Sequence, residues 1–308
     1  MTAKRALVLG GGGGFGLVQA AYMQAAYELG FRADLVIGTS VGSMNGAWLA
    51  MHPEESHGLL GIWRELGKQK VLHLNPLRLA GRVVRRNRGF CPNEIVPYMI
   101  KNHIGEVRFE ETEVPLYVVA TNLTAGRKHV FQSGKLAPAI TASTAIPGVF
   151  EPYERHGELF MDGSVTASLD LQTAVELGAT EILAIDLTPE FGNAVPRTPI
   201  GVLRRSFGVL SHATTDAMHA AASAHAITRV LRPDLRRHSP WRICVREEII
   251  GASVLEARAV LREVIAEDGS VRAAAPESVS AGSGASLSTS GGRRPFKTRG
   301  AYGESRSV

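Results

Sequence analysis

Short apolar runs alternate with segments of helical periodicity along the first part of the chain. Arg5 to Leu9 and Leu35 to Ile37 are each a brief apolar run of the kind that forms a buried strand. The segment after the first run has apolar positions at helical spacing to about Leu29, and Gly30 is typical of a helix C-terminus. The order strand, helix, strand, helix predicts a parallel sheet covered by helices.

The same patterns predict the remaining elements. Further strands are predicted at Val114–Thr121, Lys128–Phe131, Glu158–Met161 and Glu181–Leu187. Further helices are predicted at Ser43–Met51, Cys91–Ile104, Leu136–Ser143, Leu169–Leu177, Pro199–Ala226 and Ile249–Ala266. Beyond Ala273 the composition changes to Ser, Gly and Arg without periodicity. We therefore expect one domain over residues 1–270 and a disordered tail over residues 274–308.

The composition is that of a globular protein, and it argues against disulfide-rich, metal-binding and membrane-spanning proteins. The 308 residues are 44% hydrophobic and 20% charged, enough to bury a full core. Two cysteines, Cys91 and Cys244, make no disulfide framework, and no spacing of ligand residues predicts a metal or another cofactor. The apolar run near the N-terminus is too short for the hydrophobic region of a signal peptide. No stretch of about 18 uninterrupted apolar residues occurs, so a membrane-spanning helix is not expected. A cytoplasmic location is expected.

The net charge of +5 is unevenly distributed. Arg64 to Arg88 holds eight basic residues against one acidic residue, and Arg229 to Arg246 holds six against one. Such segments attract the phosphates of nucleic acid or anionic lipid, or form a solvated basic surface. In the first segment apolar residues such as Leu77 and Val83 interleave with the arginines, so an amphipathic flap that lies on an anionic membrane is one hypothesis for it.

The stretch with the clearest chemical signal follows the second predicted strand. Gly38-Thr39-Ser40-Val41-Gly42 fits the pattern G-x-S-x-G between a strand and a helix, which is the context of a nucleophile elbow. Gly38 and Gly42 leave room for a sharp turn, and Ser40 would stand at a helix N-terminus that favours developing negative charge. Ser40 is therefore the candidate nucleophile.

The glycine run after the first strand allows two interpretations. The backbone N–H groups of Gly11, Gly12 and Gly13 can converge on one point, which suits an oxyanion hole beside Ser40. Alternatively, Gly11-x-Gly13-x-x-Gly16 with Asp34 further on fits a dinucleotide-binding fingerprint and thus an oxidoreductase. Asp34 precedes the second strand instead of ending it, and the elbow is left unexplained, so the first interpretation accounts for more.

A base is needed to activate the serine, and Asp162 is the candidate. It ends an apolar strand and precedes Gly163, so we expect it at the carboxyl edge of the sheet where sites form. Three histidines follow Asp162 in the order of a Ser–Asp–His triad. They lie in an alanine-rich predicted helix and are expected to be surface or helix-face residues: His212, His219 and His225.

Three motifs in this order resemble the patatin-like phospholipase family. Gly11 to Gly16, including Gly14, matches the glycine-rich oxyanion motif of the family, Gly38 to Gly42 matches its elbow, and Asp162-Gly163-Ser164 matches its D-G-[GA] motif except at the last position. The segments 119–123 and 142–150 look like the connecting segments of the family. The resemblance is close over residues 4–190 and reaches loosely to about residue 266.

The resemblance implies a three-layer α/β fold with a mostly parallel central sheet and a serine lipid acyl hydrolase of phospholipase A or esterase type. Ser40 and Asp162 would form a catalytic dyad, with the glycine loop as oxyanion hole and phospholipids or other glycerolipids as substrates. Nucleic acid is not an expected partner; peripheral contact with the anionic inner membrane face is. Phe15, where the family often has arginine, and Ser164 depart from the pattern, so an inactive lipid-binding protein is the alternative.

Overall fold

The computed structural model describes residues 3–55, 57–68, 95–190, 195–239 and 245–274. Eight strands form one sheet in these ranges, and they are β1 Arg5–Leu9, β2 Leu35–Thr39, β3 Leu116–Asn122, β4 Arg127–Phe131, β5 Tyr153–Arg155, β6 Glu158–Asp162, β7 Glu181–Ile185 and β8 Ile227–Leu231. The α-helices are α1 Gly16–Glu28, α2 Val41–Met51, α3 Gly58–Lys68, α4 Ile95–Met99, α5 Leu136–Ser143, α6 Leu171–Glu176, α7 Pro199–Ser223 and α8 Glu247–Val264.

The centre of the sheet is parallel. Strands β3, β2, β1, β7 and β8 lie side by side in that order, and all four pairings between them are parallel. Strands β4 and β6 pair with β3 in antiparallel register, and β5 pairs with β6 in the same way. The structure confirms the predicted α/β class with a mostly parallel sheet.

Helices cover both faces of the sheet, and the alternation along β1 shows why. Leu7 and Leu9 enter a large apolar cluster with α1, α2, α3, α5 and α8, whereas Ala6 and Val8 face a smaller cluster with α6 and α7. Successive side chains of a strand point to opposite faces, so a strand buried on both sides is apolar throughout. The result is the three-layer arrangement that the sequence predicted.

Several boundaries differ from the prediction for identifiable reasons. The helix predicted over Cys91–Ile104 is α-helical over Ile95–Met99 and continues as a π-helix over Ile100–Ile104. Strand β5 is three residues long, and β8 carries Thr228 and Arg229 at the edge of the sheet, so neither has the apolar pattern of a buried strand. Both strands were missed by the sequence analysis.

Part of the prediction falls outside the described residues. Most of the basic segment Arg64–Arg88, both cysteines and the tail beyond Ala274 belong to that part of the chain. Among the described residues, no helix is both long and apolar enough to cross a membrane.

Candidate active site

Ser40 stands on a sharp turn between β2 and α2. Its φ of 54° and ψ of −124° place it in a region that side chains rarely adopt, at a cost of about 1–3 kcal/mol. The turn brings α2 so close to the sheet that a Cβ on Gly42 would collide with the carbonyl oxygen of Leu9. A Cβ on Gly38 would lie 2.5 Å from the carbonyl oxygen of Gly42. Glycine at both positions is therefore a packing requirement of the elbow.

Hydrogen bonds hold the strained backbone of Ser40 on both sides. Its N–H group donates to Ser143 Oγ at 2.8 Å, and Ser143 Oγ donates to the carbonyl oxygen of Val119 at 2.6 Å. Its carbonyl oxygen accepts from the N–H of Ser43 at 2.9 Å and from Ser43 Oγ at 2.6 Å. No local pattern predicts this role for Ser143, although the residue lies in the segment 142–150 that resembles the family.

The hydroxyl of Ser40 contacts the carboxylate of Asp162 directly. Ser40 Oγ donates to Asp162 Oδ2 at 2.6 Å, and both residues are buried. The two meet because β2 and β6 share one edge of β3 end to end: Thr39 pairs with Val119, and Asp162 pairs with the next residue, Ala120. Strand β4 must take the other edge of β3, since its register overlaps both.

This arrangement corrects the reason given above for the position of Asp162. The residue does end a strand beside Ser40, but β6 runs antiparallel to β2. The contact therefore comes from two strands that point at each other along β3, and not from the shared carboxyl edge of parallel strands. A Cβ on Gly163 would collide with the carbonyl oxygen of Val119, so glycine allows the chain to leave β3 directly after the carboxylate.

Burial sets the electrostatics of the carboxylate. Desolvation raises the pKa of Asp162 above its usual range, because the charged form loses water. Hydrogen bonds from Ser40 and from the N–H and hydroxyl of Ser164 oppose this effect and lower the pKa. The N–H bond of Ser164 reaches Asp162 Oδ1 at 2.9 Å. A carboxylate that is both buried and bonded to a serine hydroxyl is suited to accept a proton from it.

The glycine loop lies against Ser40 and offers backbone donors. A Cβ on Gly11 would lie 3.2 Å from the Cβ of Ser40, so loop and serine are in close contact. The N–H groups of Gly12 and Gly13 meet no acceptor among the described residues, and Gly13 has a φ of 57°. Gly11 departs from the prediction, since its N–H donates to the carbonyl oxygen of Ser168 at 3.1 Å. Gly11 thus supplies space, and its neighbours supply the open donors.

A buried network of side-chain amides anchors both ends of this loop. Gln19 Nε2 donates to the carbonyl oxygen of Gly10 at 3.1 Å, and Asn45 Nδ2 donates to that of Gly16 at 3.0 Å. Asn45 Nδ2 also donates to Gln19 Oε1 at 3.0 Å, while Asn45 Oδ1 accepts from Trp63 Nε1 at 2.9 Å. These side chains come from α1, α2 and α3, so the packing of three helices fixes the loop. No motif in the sequence predicts this role for Gln19, Asn45 or Trp63.

The two departures from the family pattern have different environments. Phe15 is buried in the larger apolar cluster. Ser164 stays partly exposed at the site, and its hydroxyl occupies the space that a Cβ on Gly11 would need. Gly14 is partly buried in the same loop, and a Cβ on Gly16 would collide with the Trp63 ring.

The remaining candidates make no hydrogen bond with the Ser40–Asp162 pair in the part of the chain that the structure describes. Among the described residues, the hydrogen bonds of Ser40 and Asp162 involve no histidine: His212 Nε2 bonds the carbonyl oxygen of Pro189, and His225 is exposed after α7. Asp34 lies at the amino end of β2 and accepts from the N–H of Arg5 at 2.7 Å. It is therefore at the edge opposite the glycine loop, which disfavours a dinucleotide site. No group of metal-ligating side chains occurs in the described ranges.

Comparison with known proteins agrees with these features. Residues 7–175 match the patatin-like phospholipase family. An uncharacterized NTE family protein of Mycobacterium tuberculosis is 31% identical over 184 residues, which are 59% of this chain and 48% of that protein. The patatin-like phospholipase domain-containing protein 6 of Homo sapiens is 32% identical over 185 residues, 59% of this chain and 13% of that protein.

The chain thus spans about half the length of the mycobacterial relative and a small part of the human one. The family match, in contrast, covers more than half of the chain and includes the glycine loop, the serine turn and Asp162. The chain belongs to the patatin-like phospholipase family.

Proposed function

We propose that the chain is a serine lipid acyl hydrolase of the phospholipase A or esterase type, with Ser40 as nucleophile and Asp162 as general base. The observation that carries the proposal is the 2.6 Å hydrogen bond from Ser40 Oγ to Asp162 Oδ2, next to the N–H groups of Gly12 and Gly13, for which the described residues offer no acceptor. Family membership supports an ester of a lipid as substrate, and phospholipids and other glycerolipids are the class that we propose.

The proposed reaction has two halves. Ser40 Oγ attacks the ester carbonyl carbon while its proton moves to Asp162 Oδ2, and the N–H groups of Gly12 and Gly13 stabilise the oxyanion. The carbon–oxygen bond to the alcohol then breaks, and Asp162 protonates the leaving alcohol. Water attacks the acyl-enzyme, gives its proton to Asp162 and releases the fatty acid, after which the proton returns to Ser40.

The strain at Ser40 fits this role. A serine held at a φ of 54° by bonds to both sides of its backbone has its hydroxyl fixed toward the base before substrate arrives. Fixed geometry lowers the entropic cost of reaching the transition state. The buried carboxylate, whose pKa is raised by desolvation, is also a stronger base than an exposed one.

Turnover of a short p-nitrophenyl ester and of a phosphatidylcholine vesicle tests the proposal. Ser40→Ala and Asp162→Asn are each expected to reduce kcat by about 10³-fold or more without a large change in melting temperature. Ser270→Ala and Asp268→Asn, at a site far along the chain where the same residue types also hydrogen-bond, are the matched controls. Activity near wild type in either site variant would overturn the dyad.

A second candidate function is a lipid-binding protein without turnover, favoured by Ser164 at a position where the family has Gly or Ala. A fluorophosphonate probe separates the two. Covalent labelling at Ser40, located by peptide mass spectrometry and absent in Ser40→Ala, is expected of a hydrolase. Lipid binding with neither labelling nor ester turnover would favour the binding protein.

We also propose the location and partners expected from the sequence: a cytoplasmic protein in peripheral contact with the anionic inner membrane face. Cell fractionation at low and high salt tests this, because an electrostatically held peripheral protein leaves the membrane fraction when the salt concentration rises.

A further inference from the structure

The first half of α7 exposes a continuous apolar surface. Five large apolar side chains within nine residues are between 42% and 59% exposed, and they are Val202, Leu203, Phe207, Val209 and Leu210. Half of all exposed large apolar side chains in the described residues are therefore in this short segment. Their spacing places them on one side of a helix, where Ser206 and Ala213 are exposed as well. A cluster of this kind marks an interaction surface.

This surface projects beyond the sheet. Helix α7 joins the parallel strands β7 and β8, so it runs opposite to them. Asp216 accepts a hydrogen bond from Arg232, the residue directly after β8, and so lies level with the carboxyl edge of the sheet. The helix residues before Asp216 extend about 25 Å past that edge at 1.5 Å per residue. Among the described side chains of α7, Thr215 is the first one that is buried, in agreement with this geometry.

The projecting half of α7 therefore stands at the edge that carries Ser40. Strand β2, which Ser40 follows, is three strands away from β8 in the sheet, a lateral distance of roughly 14 Å. A surface that binds the apolar face of α7 would therefore also lie close to the edge of the sheet that carries Ser40.

The charge of this segment indicates which kind of partner binds the apolar face of α7. The sequence from 195 to 215 contains three arginines, at 197, 204 and 205, and no acidic residue. An apolar helix face with flanking basic residues fits the interface of a bilayer that carries anionic headgroups. A second copy of the chain fits less well, because a two-fold contact places the same patch on both sides and would bring these arginines together.

We propose that the apolar face of α7, from Val202 to Leu210, lies on the surface of an anionic bilayer and holds the serine edge of the sheet toward it. The proposal rests on the proposed function, since it names how the substrate is reached. It names a second surface beside the basic segment Arg64–Arg88, whose predicted membrane contact lies mostly outside the described residues.

Vesicle co-sedimentation tests the surface independently of turnover. The full chain with Ser40→Ala is mixed with vesicles of phosphatidylglycerol and phosphatidylcholine, or of phosphatidylcholine alone. Adding Phe207→Ser and Leu210→Ser is expected to weaken binding to the anionic vesicles by about 10-fold or more. Adding Leu255→Ser and Val260→Ser, two exposed apolar residues on α8, is the matched control and is expected to leave binding unchanged.

The proposal would be overturned if both double variants bound anionic vesicles equally well, or if the parent protein bound neutral and anionic vesicles equally well. It would also be overturned if sedimentation velocity showed a wild-type dimer that is lost only in the α7 variant, while that variant still bound lipid. Hydrolysis of a soluble short-chain ester by the α7 variant with Ser40 intact separates the two proposals. Retained hydrolysis with lost vesicle binding supports the α7 surface. Vesicle binding through α7 without any ester hydrolysis would overturn the proposed function alone.

Discussion

Gln19 offers the sharpest test of how the glycine loop is held. Its side chain is fully buried, donates to the carbonyl oxygen of Gly10 and accepts from Asn45. Methionine has a similar length and shape but no amide, so Gln19→Met leaves one acceptor and one donor unpaired in the core. Each such group costs about 1–3 kcal/mol, partly offset by the apolar side chain, which gives a loss of roughly 3 kcal/mol in the free energy of unfolding.

That loss corresponds to a fall of about 6–12 °C in melting temperature for a domain of this size. The backbone donors of the proposed oxyanion hole remain in Gln19→Met but are held less firmly. We therefore expect kcat for a soluble ester to fall by about 10-fold, less than the 10²–10³-fold typical of a deleted donor, with little change in KM.

The matched control is Gln24→Met, on the same helix α1. Gln24 bonds the side chain of Glu28 at 2.8 Å on the surface, so its replacement removes a hydrogen bond without burying an unpaired group. Calorimetry and the pH-controlled ester assay compare the two variants. If Gln19→Met melts and turns over like Gln24→Met, the amide network does not position the loop.

Three further predictions concern other parts of the site and chain. Ser164→Ala removes a hydroxyl that lowers the pKa of Asp162; the pKa should rise, and the acidic limb of the kcat/KM profile should move to higher pH, whereas an unmoved limb would refute this role. Gly42→Ala should destabilise the fold by about 1–3 kcal/mol in urea unfolding through its collision with β1, whereas Gly61→Ala, with open space in α3, should not. Deleting residues 275–308 should leave melting temperature and ester turnover unchanged, and a large drop in either would show that this segment belongs to the domain.

The central parallel strands were predictable because burial on both faces makes each one a dense apolar run. The edge strand β8 was not, since one of its sides meets solvent and it can carry Arg229. Strand β5 is too short to show any period. The local apolar pattern therefore predicts strands that are buried on both faces, and it does not predict the short or partly exposed strands at the edges of the sheet.

The same distinction applies to the site. The sequence could single out Ser40 and Asp162 as candidates because each stands in a short motif whose glycines meet a local backbone requirement, and the structure brings the two side chains into contact. Ser143 and Gln19 act through contacts with residues 103 and 9 positions away, and nothing in their local sequence signals those contacts. The direction of β6 was also hidden, because a strand has the same apolar pattern whichever way it runs.

The end-to-end meeting of β2 and β6 on β3 has a consequence for how such a site can vary. Ser40 and Asp162 are 122 residues apart in the chain, yet their spacing is set by neighbouring positions on a single strand. Insertions and deletions in most of the intervening chain would leave that spacing intact, so loops and helices there are free to diverge. A shift of β2 or β6 by one residue along β3 would change that spacing and turn the side chains of the shifted strand to the other face. The contact between Ser40 and Asp162 therefore depends on strand β3, which contains neither residue.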